Sequence, residues 1–246
     1  MPAPHWIHSA ATRWACTGIA LAAAACAPLS PKPEKTSEAP PVAAACPPAL
    51  AALARCLAGQ DSAGAYYLIA MPHQWNGHLV LHAHGGPALG APRPERSAAD
   101  LERWAIMVKA GYAWAGSTFR QGGVEVRAAA EDTERLRQIF VGHVAQPRRT
   151  ILHGQSWGAS VAARGAEMFT STTQGQRPYD AVLLTSGVLA GGSRSYDFRT
   201  DLRVVYQYLC NNHPRPTEVQ YPLNIGLPAD ATLTQADLTA RVNECL

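Results

Sequence analysis

The sequence predicts an α/β fold, a mostly parallel sheet with helices on both faces. Two observations carry this reading. Short apolar runs of strand length alternate with segments of helical periodicity, the pattern of repeated strand–helix–strand units. With 246 residues, 47% of them hydrophobic, the chain can also bury one sizeable core.

Taken in chain order, the first element is not part of that core. Arg13 precedes a small-residue apolar run from Trp14 to Ala25, which reads as a signal peptide over residues 1–26. About 12 residues fall short of the roughly 20 a helix needs to cross a bilayer, so a spanning anchor is not expected. The run ends Leu21-Ala22-Ala23-Ala24-Ala25-Cys26 and resembles a bacterial lipobox, which would lipidate Cys26; cleavage at a small-residue site is the alternative. Residues 27–48, rich in Pro and Ala and without apolar periodicity, read as a tether.

Strands are expected over Ala65–Ala70, His78–His82, Tyr112–Thr118, Thr150–His153 and Asp180–Ser186. Helices are expected over Ala98–Ala110, with Gly111 as its stop, over Ala128–Val141 and over Ser160–Phe169. In the second of these, Leu136, Ile139 and Phe140 form the buried side, and Glu131, Glu134, Arg135 and Arg137 face outward. Beyond Thr200, Leu202, Val205, Tyr206 and Leu209 recur at helical spacing, and Leu233–Val242 forms another amphipathic piece. The core is thus expected over 49–192, and 193–246 reads as part of a helical lid.

The 21 basic and 18 acidic residues give a net charge of +3, with the basic residues scattered singly, so nucleic acid is not an implied partner. Cys16 and Cys26 fall in the leader. The other four cysteines suggest two local disulfides, Cys46 with Cys56 and Cys210 with Cys245, in keeping with an exported protein. No Cys-x-x-Cys spacing suggests zinc, and no cofactor is implied. His82 and His84 form a His-x-His pair for which no third metal ligand is evident.

The chemistry sits in two short motifs. Gly154-Gln155-Ser156-Trp157-Gly158 lies between a strand and a helix, where a nucleophile elbow would force its serine into a strained turn with small flanking residues. His84-Gly85-Gly86-Pro87 follows a strand, and a glycine pair there permits the backbone angles that turn an N–H inward toward an oxyanion. From Tyr66 to Leu189 the chain resembles the α/β-hydrolase superfamily. The resemblance implies that Ser156 is the nucleophile and that the N–H groups of Gly86 and Trp157 form the oxyanion hole. It also implies that Gly154, Gly158, Gly85 and His84 shape the two turns.

A complete member needs an acid and then a histidine after the nucleophile. His213 is the only downstream histidine, with Asp197 and Asp201 before it, yet only one strand intervenes and all three fall in the expected lid. The chain therefore reads as incomplete at its C-terminus, lacking the acid and base. The expected function is a secreted hydrolase of carboxylic esters, acting through an acyl-enzyme on Ser156. A proline-iminopeptidase-like serine aminopeptidase is the alternative, since His-Gly-Gly-Pro with Gly-x-Ser-Trp-Gly also resembles those enzymes. A surface lipoprotein that keeps the fold without the chemistry is the reading of another class. The implied partner is a small ester or short peptide substrate, with a lipid anchor only if Cys26 is modified.

Overall fold

The computed structural model describes residues 36–86, 90–123, 125–173, 175–223 and 230–246. The leader with Cys26, the first part of the tether and Pro87 lie outside the described residues.

Seven strands form one sheet: β1 (Val42–Ala44), β2 (Ala54–Gln60), β3 (Tyr66–Pro72), β4 (His78–Ala83), β5 (Ala113–Ser117), β6 (Arg149–Gln155) and β7 (Ala181–Thr185). Their order is β1-β2-β3-β5-β4-β6-β7. Pairing is antiparallel from β1 to β5 and parallel across β5, β4, β6 and β7. Five strands accordingly run one way, with β1 and β3 opposed.

Chain path explains why both faces are covered. From β4 the chain moves to β5 through α1 (Glu95–Arg103) and α2 (Ala105–Lys109), then returns past β4 to β6 through α3 (Val126–His143). Right-handed crossovers in opposite directions put these helices on opposite faces. Strand alternation then sorts the core. Ile69, Leu79, Leu81, Ala115 and Leu152 pack with α3 and with α4 (Trp157–Met168). Leu68, Ala70, Val80 and Trp114 pack with Leu101, Ala105 and Val108 of the first two helices. The reversal of strand order at β4 opens a crevice beyond the carboxyl ends of β4 and β6, the usual ligand position in such sheets.

Several elements differ from those the sequence suggests. The tether expected over 27–48 contains β1 at its end, and Glu38 within it accepts from the Ser62 N–H at 2.8 Å and pairs with Arg135 at 3.3 Å. Strand β2 has no matching expectation, because its mixed residues, Ala54-Arg55-Cys56-Leu57-Ala58-Gly59-Gln60, give no apolar run. The helix expected over 98–110 begins three residues earlier and breaks at Trp104. Glu134 and Arg137, expected to face outward, are buried at 6% and 4% exposure. They are tolerated because they pair at 2.7 Å while Tyr179 donates its hydroxyl to Glu134 at 2.6 Å.

Two disulfides are present, Cys46–Cys56 and Cys210–Cys245, as the spacing suggested. The first lies beside the β1–β2 pairing, where Ala44 sits opposite Cys56. The second joins the ends of α5 (Gly191–Cys210) and α6 (Gln235–Cys245), closing 35 residues of chain, which in the loop-entropy account stabilises by roughly 3–4 kcal/mol. Helix α5 has no buried residue, and the face carrying Leu202, Val205 and Leu209 is open. Strand β7 is the last of the sheet and leaves Val182 and Leu183 about half exposed. Among the described residues, no helix is long and apolar enough to cross a membrane.

Candidate active site

Ser156 sits alone between β6 and α4 with φ 55° and ψ −120°, a conformation that non-glycine residues avoid. Its surroundings show why the turn holds. The Ser156 N–H donates to the Thr185 carbonyl at 3.0 Å, and its carbonyl accepts from the Ala159 N–H at 3.1 Å and the Val188 N–H at 3.4 Å. Thr185 also donates its hydroxyl to the Gly154 carbonyl at 3.3 Å. The end of β7 thus clamps the turn from one side, and Ser156 projects exposed above it.

Glycine is required on both flanks by space. A Cβ on Gly154 would lie 2.1 Å from the Gly158 carbonyl oxygen, and one on Gly158 would lie 2.2 Å from that of Ala83. A Cβ on Gly85 would meet the Gln155 carbonyl at 2.7 Å. The two motifs, some seventy residues apart in sequence, therefore pack backbone to backbone: the end of β4 rests on the first turn of α4, and the Gly85–Gly86 turn rests on the elbow.

That contact brings together Gly86 and Trp157. Gly86 has φ 76°, in the region that favours glycine. Both residues line one cavity of about 10 Å³, the space of a single water-sized group, together with Phe119, Gln121, Gly123, Glu125 and Ala129. Trp157 is the first residue of α4, so its N–H has no acceptor within the helix, and no described group accepts it or the Gly86 N–H. A small space bordered by these two residues at a helix N-terminus suits a developing oxyanion.

Beneath this turn lies a polar layer that sequence reasoning did not assemble. His84 Nδ1 donates to the Asp100 carboxylate at 2.6 Å, and Arg96 donates to His84 Nε2. Its ring is thus fully engaged in holding its loop. His82 meets His153 across the β4–β6 ladder, Nδ1 to Nδ1 at 2.9 Å, with the Trp104 ring packed against both. His84 thus bonds Asp100 and Arg96, while His82 bonds His153 and stands beside Asp100. Among the described residues no group of three or more metal-ligating side chains is assembled. Phe119, with φ 61° two residues beyond β5, packs edge-on against His84 and borders the small cavity; no motif marks it.

The buried pair makes a pH prediction. Burial is the main cause that lowers His82 to about 3, partly opposed by Asp100 and reinforced by His153; burial also lowers His153 to about 4. These values lie below the unfolded value near 6.5, so the unfolded chain binds more protons between about pH 6.5 and pH 3–4. Stability is full above that window and falls as pH drops through it, by about 2 kcal/mol per histidine between pH 7 and pH 5. Urea unfolding at the two pH values is expected to show a smaller acid loss, by about that amount, in His82→Asn than in the parent. Equal losses in both would refute the assignment.

His213 is not part of this layer. Its backbone N–H donates to Gln207 at 3.0 Å, its carbonyl accepts from Arg203, and its Nδ1 pairs with the Tyr221 hydroxyl at 3.0 Å. It borders a cavity of about 700 Å³ between α5 and α6 whose lining includes neither Ser156 nor Trp157. Asp197 lies within α5 and pairs with Arg194 at 3.6 Å. Asp201 is also in α5, exposed. Among the described residues, none hydrogen bonds the Ser156 hydroxyl.

No protein family and no curated protein matches this sequence. Solved structures do match at low identity. Candida antarctica lipase A in its closed state is 12% identical over 66% of this chain and 43% of that chain, with a TM-score of 0.47. An esterase of the bacterial hormone-sensitive lipase family is 18% identical over 70% and 59%, with a TM-score of 0.43. Esterase B from Lactobacillus rhamnosis is 16% identical over 61% and 53%, with a TM-score of 0.42. The chain spans about half the length of these structures. The parallel β5-β4-β6-β7 core, its helices on both faces and the strand–Ser156–helix turn together make an α/β-hydrolase fold.

Proposed function

We propose that this protein is a serine hydrolase that cleaves carboxylic esters through an acyl-enzyme on Ser156. The observation that carries the reading is the strained, exposed Ser156 directly before Trp157, which with Gly86 lines one small cavity. In this reading the Ser156 oxygen attacks the ester carbonyl and its proton passes to a general base, a group that the described residues do not place at the Ser156 hydroxyl. The carbonyl oxygen becomes an oxyanion held by the Gly86 and Trp157 N–H groups, with the N-terminal end of α4 adding its dipole. Collapse expels the alcohol and leaves the acyl group on Ser156, and water then repeats the attack to release the acid. Two disulfides fit an oxidising compartment, so we place the protein outside the cytoplasm, with Cys26 as its proposed lipid attachment.

Parallel assays on p-nitrophenyl butyrate and on prolyl p-nitroanilide test the reaction class. Release from the ester, with little from the anilide, is expected. Faster release from the anilide would move the assignment to an aminopeptidase. No release from either, with no fluorophosphonate labelling, would leave a hydrolase fold without its chemistry.

A further inference from the structure

The motif histidine His84 is held by residues outside both motifs, Asp100 and Arg96, and Asp100 also stands beside His82, which is bonded to the nucleophile strand. Asp100 lies on α1 with 13% of its side chain exposed. One of its oxygens, Oδ2, accepts from His84 Nδ1 at 2.6 Å and stands 3.9 Å from His82 Nε2. His82 in turn is bonded to His153 at 2.9 Å, three residues before Ser156. The His82 Nε2 and His153 Nε2 atoms are buried without a hydrogen-bond partner.

Proton placement follows from this geometry. A carboxylate only accepts, so His84 carries its proton on Nδ1, and its bare Nε2 takes the Arg96 N–H. Between His82 and His153 one Nδ1 donates and the other accepts. The negative Asp100 oxygen favours a proton on the His82 nitrogen nearest it, Nε2, which makes His82 Nδ1 the acceptor and His153 Nδ1 the donor. One carboxylate thereby selects the tautomers of both histidines. The first sits at the root of the Gly85–Gly86 turn, and the second bolts that strand to the strand that delivers Ser156.

We propose that Asp100 is a positioning residue for the ester hydrolysis inferred above: it holds the Gly86 N–H in register with Ser156 by fixing His84 and His82. It touches no reacting atom. Its effect is on where the oxyanion donor points, which is felt in the transition state and hardly in substrate binding. An uncharged asparagine can still accept from His84 Nδ1, so Asp100→Asn keeps the nearer contact, whereas Asp100→Ala loses both.

Imidazole and amide ¹⁵N NMR of the full chain, combined with ester kinetics, tests this. In the parent, His84 is expected as the Nδ1–H tautomer, with a through-hydrogen-bond coupling between the Nδ1 atoms of His82 and His153. In Asp100→Ala, the Gly86 amide resonance is expected to shift and kcat to fall roughly ten- to a hundredfold while KM stays nearly constant. Asp100→Asn is expected to restore most of the Gly86 resonance position and of kcat. An Nε2–H tautomer at His84 in the parent would overturn the proposal even if neither variant folds. So would an unmoved Gly86 resonance in a folded Asp100→Ala, or a loss expressed in KM alone. Should the parent hydrolyse no ester, the functional reading fails, and the tautomer and Gly86 resonances still decide the role of Asp100.

Discussion

Where an acid and base complete the site, replacing Ser156 by alanine is expected to lower ester turnover by a factor on the order of 10⁴ or more, and in any case to abolish fluorophosphonate labelling. Ser156 is the exposed residue of the turn, and its neighbours Gln155 and Trp157 carry no nucleophile that could take over the attack. Stability separates loss of chemistry from loss of fold. Alanine carries the same Cβ into φ 55° and ψ −120°, so Ser156→Ala leaves the strain unchanged, whereas Ser156→Gly relieves it and is expected to raise stability by about 1 kcal/mol. Both variants are inactive in this account, and one is more stable than the parent. His213→Ala is expected to leave labelling unchanged, because its ring nitrogen is paired with Tyr221 in the C-terminal hairpin. Labelling that persists in Ser156→Ala removes Ser156 as nucleophile, and labelling lost in His213→Ala makes His213 the base.

Much of this site was legible because its signals are local. Gly154, Ser156 and Gly158 must be close in sequence to build one turn, and the strand before and helix after them are read from the same short window. The partners beneath the site are a different matter. His82 was visible beside His84, but strand alternation alone cannot tell that β6, some seventy residues later, lies next to β4 and sets His153 opposite His82. Asp100 reads as one more polar residue of an amphipathic helix until that helix is laid against the sheet. Trp104 likewise reads as an apolar helical position, yet the helix breaks there with the ring packed against both buried histidines. Glu134 and Arg137 read as outward positions of an amphipathic helix because their buried partner, Tyr179, lies far along the chain. Helix α5 shows the converse: its apolar spacing is real and its existence was predicted, but spacing does not say what, if anything, covers the face.

Substituting alanine at Gly158 is expected to destabilise the protein by more than about 3 kcal/mol, against the ordinary preference of helices. Gly158 is in the first turn of α4, and helix propensity alone would make alanine better than glycine there by about 1 kcal/mol. The added methyl, however, would lie 2.2 Å from the Ala83 oxygen and 2.7 Å from the His84 oxygen. Both obstacles are backbone, and both belong to the strand end that carries the Gly85–Gly86 turn, so room can be made only by pushing the oxyanion loop off the elbow. Gly165, later in the same helix, supplies the control. Its methyl would find the Leu152 side chain at 3.3 Å and Ala130 at 3.9 Å, contacts that a small side-chain shift accommodates. Gly165→Ala is therefore expected to change stability by no more than about 1 kcal/mol, with propensity offsetting the crowding. Urea unfolding of the two variants gives the comparison. A Gly158→Ala protein as stable as Gly165→Ala would mean that β4 and α4 do not approach this closely, and with that contact would go the joint placement of Gly86 and Trp157 on which the proposed chemistry depends.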